Sequence, residues 1–366
     1  MADSLFDLSD ARLVPARPEI ADVRLRGHVA AERYVVGEAR AVVVPSAPLR
    51  RTPRFDAGLE TEAVMGDAVT AYGAEEGFVF VQFAHDGYVG YLPEAALGPA
   101  QAPTHRVTAL RSFLYPGPDL KQPASGWLTL GARLRPTETR GDYLRIASGY
   151  VFAGHCAPLD AVEPDYAATA ERLVGTPYLW GGRTSLGLDC SGLVQLCLAQ
   201  AGILAPRDAD QQERGLGEAL PPDFEGLRRG DLVFWRGHVG LMLDAARLAS
   251  LEQAVQARWV GADDPAAGGE RGGAATGRAG ADAGELEPAG AVGLGGRGGA
   301  GGRRLGAGRG RLGGLCRLVR GVGGRVGGRL RPGLGLVAGR RRARGRRRAP
   351  FPGRQCSRRA PFPERK

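Results

Sequence analysis

Short apolar runs separated by glycine, aspartate and proline dominate the chain between residues 36 and 100. In chain order these runs are Ala41–Val44, Ala68–Tyr72, Phe78–Phe83 and Tyr88–Leu92. Runs of this length that are rich in valine and aromatic side chains and bounded by turn-forming residues indicate β-strands. We therefore predict a small β-barrel or sandwich over residues 36–100, preceded by a polar arm over residues 1–35.

The same order of apolar runs recurs after Pro103. A strand-like stretch at residues 105–110 again precedes two segments that contain glycine and aromatic residues, at 142–146 and 149–152. Self-similarity over a comparable length is typical of a duplicated supersecondary unit. We predict a second small β-module over residues 101–159.

The periodicity changes at Asp160. Residues 166–174 have the spacing of a helix that ends at Gly175, and residues 193–201 predict a second helix that ends at Gly202. Residues 231–235 and 238–243 predict an antiparallel hairpin. Residues 160–248 are therefore expected to form an α+β domain.

The last third of the chain has a different composition. Residues 249–366 contain 31 glycines and only three aromatic residues. A segment of this kind cannot bury a core, so we predict a disordered Gly/Arg-rich tail. Residues 1–248 carry 24 Lys+Arg and 31 Asp+Glu, whereas the tail carries 25 and 8, so the tail alone supplies the net charge of +10. The charge of the first two-thirds therefore gives no argument for binding to nucleic acid.

The cysteines and the N-terminus bear on location. The cysteines are odd in number and without paired spacing, which predicts reduced thiols rather than disulfides or a zinc site; they are Cys156, Cys190, Cys197, Cys316 and Cys356. The acidic N-terminus resembles no secretory signal, and no run of ~20 apolar residues is present. We expect a cytoplasmic protein without a metal or cofactor.

One cysteine lies where a thiol can be activated. Cys190 follows a glycine-rich segment and Asp189, and it precedes an apolar stretch predicted to be helical. The unpaired N–H groups and the dipole of a helix N-terminus favour a thiolate and can bind an oxyanion. His238, at the start of a predicted strand, is the candidate base. Cys197, within the apolar helix, is expected to be a buried structural residue.

The segments around these residues resemble a known family. Residues 173–192 contain Pro-Tyr-Leu-Trp-Gly-Gly and Asp-Cys-Ser-Gly, and residues 229–240 contain Gly-Asp-Leu and His-Val-Gly. In order and spacing they resemble the NlpC-type papain-like cysteine peptidases of the cell wall. Gly87–Tyr91 and Gly149–Phe152 resemble the closing strand of bacterial SH3-like domains. The resemblance implies a papain-like domain behind two SH3-like β-barrels.

The resemblance also implies roles for single residues. Cys190 would be the nucleophile and His238 the base that later acts as an acid. Tyr178 resembles the tyrosine that approaches the reacting centre. Asp189 and Ser191 resemble the pair that binds the free N-terminus of the substrate, although Asp189 has an alternative role as the helix N-cap.

The chain departs from the family after the base. The family has a third polar residue, usually a histidine, about a dozen residues later, but no histidine follows His238. Glu252 and Gln253 are the alternatives. We hypothesise that the reading frame shifts near Leu248 and that the tail is out-of-frame translation. The alternative is a genuine Arg/Gly-rich tail that binds RNA or another anionic polymer.

The resemblance predicts an endopeptidase that cleaves the γ-D-glutamyl-diamino acid bond of murein-derived peptides. Its partner would be that peptide, with neither a membrane nor a cofactor involved. The alternative function is a murein-peptide-binding protein whose activity is impaired because the third triad residue is absent.

Overall fold

The computed structural model of this protein describes residues 8–220, 226–250 and 317–320. Within these ranges, no helix is both long and apolar enough to cross a membrane. The predicted alternatives Glu252 and Gln253, and most of the tail, lie outside the described residues.

The arm that precedes the first β-module is held by two short strands. β1 (Ile20–Asp22) pairs in parallel with β2 (Arg33–Val35), and a 3-10 helix at Val23–Leu25 lies between them. Ile20 and Leu25 are buried. The arm therefore packs on the β-module that follows it.

The first β-module is a seven-stranded antiparallel sheet. Its strands, in chain order, are β3 (Glu38–Val42), β4 (Ser46–Arg50), β5 (Leu59–Val64), β6 (Ala68–Glu75), β7 (Phe78–Phe83), β8 (Val89–Pro93) and β9 (Leu97–Pro99), with a 3-10 helix at Glu94–Ala96. The order in the sheet is β5-β4-β8-β7-β6-β3-β9. In β7, Val81 and Phe83 enter the core of the module, while Phe78 and Phe80 pack with Ile20 of the arm. Because the arm covers the second face, β7 is apolar on both faces rather than alternating.

The second β-module contains two smaller antiparallel sheets. Its strands are β10 (His105–Val107), β11 (Arg111–Tyr115), β12 (Gly126–Thr129), β13 (Arg133–Leu134), β14 (Glu138–Arg140), β15 (Tyr143–Ile146), β16 (Gly149–Phe152) and β17 (Cys156–Pro158), with a 3-10 helix at Ala153–His155. The sheet orders are β13-β10-β17 and β12-β11-β16-β15-β14. Val64 and Met65 of the first module belong to the core of the second, so the two modules share apolar contacts.

The third part combines three helices with a five-stranded sheet. The helices are α1 (Tyr166–Leu173), α2 (Cys190–Gln200) and α3 (Ala209–Gly215). A separate two-stranded sheet consists of β18 (Arg183–Thr184) and β19 (Gly187–Leu188). The five-stranded sheet consists of β20 (Glu218–Leu220), β21 (Leu232–Trp235), β22 (His238–Met242), β23 (Leu248–Ala249) and β24 (Arg317–Arg320). The predicted first helix and the β21–β22 hairpin are confirmed, and the second helix starts three residues earlier than predicted, at Cys190.

Helix α2 is the centre of this part. Its side chains share one core with α1 on one side, with the five-stranded sheet on the other, and with Leu130 of the second β-module. A helix that is enclosed in this way is apolar all round. Cys197 is fully buried in this core, as predicted for a structural cysteine.

Four residues of the tail, Arg317–Arg320, are described and form strand β24. β24 lies between β20 and β21, with Val319 opposite Leu232 and fully buried. Arg320 donates to the buried carboxylate of Asp231, with an N–O distance of 2.9 Å. Val319 and Arg320 point to opposite faces of the strand, so the valine enters the core while the arginine pairs with Asp231. The high glycine content of the tail hides this local pattern in the sequence.

Candidate active site

Cys190 is the first residue of α2. Asp189 is the N-cap, and its carboxylate accepts a hydrogen bond from the backbone N–H of Gly192 at 2.6 Å. A Cβ on Gly192 would lie 2.2 Å from the carbonyl oxygen of Gly182, so only glycine lets the helix start this close to the preceding loop. The cap and the glycine together fix the position of the thiol, which is 7% exposed.

The thiol is protonated at neutral pH. Burial, and after it the charge of Asp189, raise the pKa of Cys190 to about 11, while the N–H groups of Val239 and Ser191 act in the opposite direction. The sequence-based expectation of a lowered thiol pKa is therefore wrong, because desolvation outweighs the helix N-terminus. The interaction with the Val239 N–H places the start of β22 against the sulfur.

His238 occupies that start. It is 7% exposed, its ring lies against Trp235 with centroids 4.5 Å apart, and burial lowers its pKa to about 4 although Asp189 acts to raise it. The imidazole is therefore neutral at neutral pH. A neutral imidazole beside a protonated thiol can act as a general base during attack, without a preformed ion pair.

Ser250 holds the other side of the imidazole. Its Oγ lies 3.1 Å from His238 Nε2, immediately after β23, which pairs with β22. When Nε2–H donates to this hydroxyl, Nδ1 is the nitrogen able to take the thiol proton. The sequence analysis missed Ser250, although it follows the base by twelve residues, because only an imidazole, carboxylate or amide was sought there.

Asp189 and Ser191 form a buried network with Arg207. Arg207 is 1% exposed and donates to both Asp189 oxygens at 3.0 and 2.6 Å, to Ser191 Oγ at 2.9 Å and to Thr61 Oγ1 of the first β-module at 2.6 Å. Asp189 also accepts from the N–H of Gly181. Asp189 is thus the N-cap of α2, which was its alternative role in the sequence, and it is also the ion-pair partner of Arg207. Its contact with a substrate ammonium stays a prediction.

A second acidic group, which no sequence motif predicts, lies beside this network. Tyr88 donates its hydroxyl to Asp208 at 3.1 Å and to Glu60 at 3.4 Å. Arg12 of the arm donates to Asp208 at 2.7 Å. Burial raises the pKa of Asp208. These residues come from the arm, the first β-module and the third part, so their spacing along the chain reveals nothing, but Asp208 directly follows Arg207 and brings them close to the start of α2.

Tyr178 lies on the loop in front of α2. Its backbone forms a bridge to Leu188, two residues before Cys190, and its side chain is partly exposed. The neighbouring Trp180 is 72% exposed. Among the described residues, no cluster of histidine, cysteine and carboxylate side chains has the arrangement of a metal site.

Comparisons with known proteins identify related domains and a related fold. The model of the bacterial dipeptidyl-peptidase SH3 domain matches residues 49–97, and the model of the NlpC/P60 family matches residues 175–261. A solved NlpC/P60 family protein from Bacillus cereus has the same fold, with a TM-score of 0.50 at 21% identity, over 58% of this chain and 90% of that chain. The chain thus has a papain-like domain behind an SH3-like domain.

Three curated relatives have informative names. A γ-D-glutamyl-L-lysine dipeptidyl-peptidase of Bacillus cereus is 29% identical over 203 residues, which is 48% of this chain and 60% of that protein. Dipeptidyl-peptidase 6 of Lysinibacillus sphaericus is 36% identical over 25% of this chain and 33% of its own length. A γ-DL-glutamyl hydrolase of Bacillus subtilis is 41% identical over 21% and 20%, respectively. The chain therefore spans less than two thirds of each relative.

Removing the Ser250 hydroxyl should lower turnover. A hydrogen bond contributes about 0.5–1.5 kcal/mol, so Ser250→Ala should reduce kcat about 3- to 10-fold and leave KM nearly unchanged, because the hydroxyl orients His238 and does not touch substrate. Ser250→Thr, which retains a hydroxyl, is the matched control and should recover most of kcat. Steady-state kinetics on a murein peptide would measure both, and parental kcat in Ser250→Ala would contradict the assignment.

The pH at which kcat/KM falls on the acidic side should be well below that of an ordinary histidine base. The pKa of His238 is lowered to about 4, so the base stays neutral down to that pH, and kcat/KM should fall only as pH drops through about 4. A pH series of kcat/KM, with enzyme returned to pH 7 to confirm reversibility, measures this. An inflection near the ordinary histidine value of about 6.5 would count against a buried base.

Breaking the Arg207 network should destabilise the fold. Arg207→Met leaves the buried Asp189 charge uncompensated, and we expect the free energy of unfolding to fall by about 3–5 kcal/mol in urea titrations. Arg214→Gln removes the exposed pair with Asp210 and should cost under ~1 kcal/mol. The double variant Asp189→Asn/Arg207→Met should lose less than the sum of the singles. Additive losses would show that the two residues do not act as a pair.

Proposed function

We propose that this chain, which matches the model of the NlpC/P60 family over residues 175–261 and that of a bacterial SH3 domain over residues 49–97, is a cysteine peptidase. Its substrates are murein-derived peptides, and it cleaves the bond between γ-D-glutamate and the diamino acid. The name of the Bacillus cereus relative, a γ-D-glutamyl-L-lysine dipeptidyl-peptidase, supports this bond type. We place the activity in the cytoplasm, on free peptides.

The observation that carries the proposal is the junction between α2 and β22. The N–H of Val239 interacts with the thiol of Cys190, and the residue before it is the buried His238, held by Ser250 at 3.1 Å. A cysteine at a helix start, a neutral imidazole and a polar group behind it are the parts that nucleophilic acyl transfer needs.

The reaction follows from the protonation states. Cys190 Sγ attacks the γ-carbonyl carbon while His238 takes the thiol proton, giving a tetrahedral oxyanion. The N–H groups of Cys190 and Ser191 are at the first turn of α2, where backbone donors have no intrahelical partner, and they are the donors that suit this oxyanion. Collapse breaks the C–N bond, the leaving amine takes the proton from His238, and water hydrolyses the thioester by the reverse sequence.

Recognition of a free amino end is assigned to the second acidic group. Glu60 and Tyr88 come from the first β-module and Asp208 from the catalytic domain, so the three meet only where the module closes the cleft. Two carboxylates around a phenol hydroxyl suit an ammonium. Arg207 binds both oxygens of Asp189, whereas Arg12 binds one oxygen of Asp208, so Asp208 is the better candidate for this role.

A second candidate is a murein-peptide-binding protein with impaired activity. It is favoured by the low pKa of His238, about 4, because a base so far below neutral pH is weak. Alkylation of Cys190 at pH 7 by a chloromethyl ketone built on the substrate peptide, which presents a carbonyl to the thiol, separates the two functions. An enzyme should lose the reaction in His238→Ala, whereas a binder should be labelled slowly and equally in both proteins.

The decisive prediction concerns L-Ala-γ-D-Glu-diaminopimelate. The full-length chain should release diaminopimelate, and Cys190→Ala should not. Asp208→Asn should lower kcat/KM about 10- to 100-fold, because a hydrogen bond to a charged group contributes about 1.5–3 kcal/mol. For a substrate with an acetylated N-terminus, the parent should have a low kcat/KM, and Asp208→Asn should not lower it further.

Asp210→Asn is the matched control. Asp210 also binds Arg12, but its side chain is 49% exposed, so its substitution should leave kcat/KM within about twofold if the amine binds at Asp208. Equal losses of kcat/KM in Asp208→Asn and Asp210→Asn would show that the effect comes from the contacts of both residues with Arg12 of the arm. Absence of turnover by the parent would refute the proposed activity.

A further inference from the structure

A cavity of about 230 Å³ lies where the two β-modules meet α2. The first module contributes Asp67 and His85, and the second contributes Arg106 and Arg133. Helix α2 contributes residues 195, 196, 199 and 200, near its C-terminal end, whereas Cys190 is at its N-terminal end. The cavity is therefore separate from the proposed catalytic centre.

Two arginines in the cavity wall lie side by side. Arg106 and Arg133 are directly opposite each other in the β10–β13 pair, so their side chains project from the same face. Neither lies within ion-pair distance of a carboxylate among the described residues, although the charge of Arg133 is one of those that lower the pKa of Asp67. Arg183, which also lines the cavity, differs from them because it is paired with Asp67 at 2.9 Å.

Arg106 is poorly compensated. It is 6% exposed, its Nη2 donates to the carbonyl of Ala161, and its buried Nε has no hydrogen-bond partner among the described residues. Burial, and then the charge of Arg133, lower its pKa. An arginine does not deprotonate in a protein, and an unpaired buried charge costs several kcal/mol. An anion beside Arg106 would remove that cost.

The rest of the lining limits the ligand. Leu130, Leu196 and Ile203 supply apolar walls, and the volume is below the ~300–1,000 Å³ of sites for drug-sized molecules. Guanidinium groups bind a carboxylate in a planar, bidentate manner. An acid with a short apolar stem satisfies both the charged and the apolar parts of the wall.

We propose that this cavity is a second ligand site, which takes a small organic carboxylate held by Arg106 and Arg133. The site goes beyond the proposed peptidase reaction, because it uses none of the catalytic residues. Its occupant would join the two β-modules to α2 and stabilise the assembled chain.

Thermal unfolding of the full-length protein tests the site, with glutarate as probe at constant ionic strength. Glutarate should raise Tm in a saturable manner, because a ligand that binds only the folded state stabilises it. Glutaramide, the neutral diamide of similar shape, should have no effect. Inorganic phosphate should require a higher concentration, and equal or stronger action by phosphate would overturn the assignment to an organic acid.

Substitutions locate the effect. Arg106→Gln and Arg133→Gln should each raise the half-saturating glutarate concentration at least about 10-fold, which corresponds to about 1.4 kcal/mol. Arg111→Gln alters an exposed arginine of the same module and should behave as the parent. If Arg106→Gln does not fold, Arg133→Gln alone decides. The proposal would be overturned if the folded variants had the parental half-saturating glutarate concentration, or if glutarate caused no saturable rise in the Tm of the parent.

Discussion

The buried ion pair between Arg207 and Asp189 is the interaction on which the rest of the site depends. Asp189 caps α2 and thereby fixes Cys190, while Arg207 reaches Thr61 in the first β-module. One guanidinium thus links the start of the catalytic helix to a different domain. A buried pair contributes little net stability, but losing one partner leaves an uncompensated buried charge, so loss of Arg207 would disturb both the start of α2 and its link to the first β-module.

Burial sets the chemistry of the catalytic pair. The pKa of Cys190 is about 11 and that of His238 about 4, so each group is held in its neutral form by the same low-dielectric surroundings. A site of this kind keeps its thiol unreactive towards solutes that do not position a carbonyl. The proton moves only when substrate displaces water and the developing charges stabilise each other.

The sequence predicted what local patterns encode. Short apolar runs bounded by turn residues predicted the β-modules, and the residues flanking Cys190 and His238 pointed to the candidate catalytic pair, because each motif lies within a few positions of its element boundary. It could not predict Arg207 or Asp208, because their partners lie on other elements and are brought close only by folding. Ser250 lies where the third polar residue was expected, but the family pattern predicts a histidine there rather than a hydroxyl. The sequence also indicated the wrong direction for the thiol pKa, since the helix N-terminus is visible in a sequence whereas the depth of burial is not.

The position of β24 has a consequence for the order in which the chain folds. Val319 pairs with Leu232, 87 residues earlier, and β24 separates β20 from β21. Closing a loop of that length costs entropy before any pairing energy is gained, and long-range pairing of this kind slows folding. During synthesis, the hairpin that carries His238 leaves the ribosome long before the neighbouring strand does. For that interval its edge is open to other chains, so the nascent protein is most exposed to aggregation while its catalytic residues are already made.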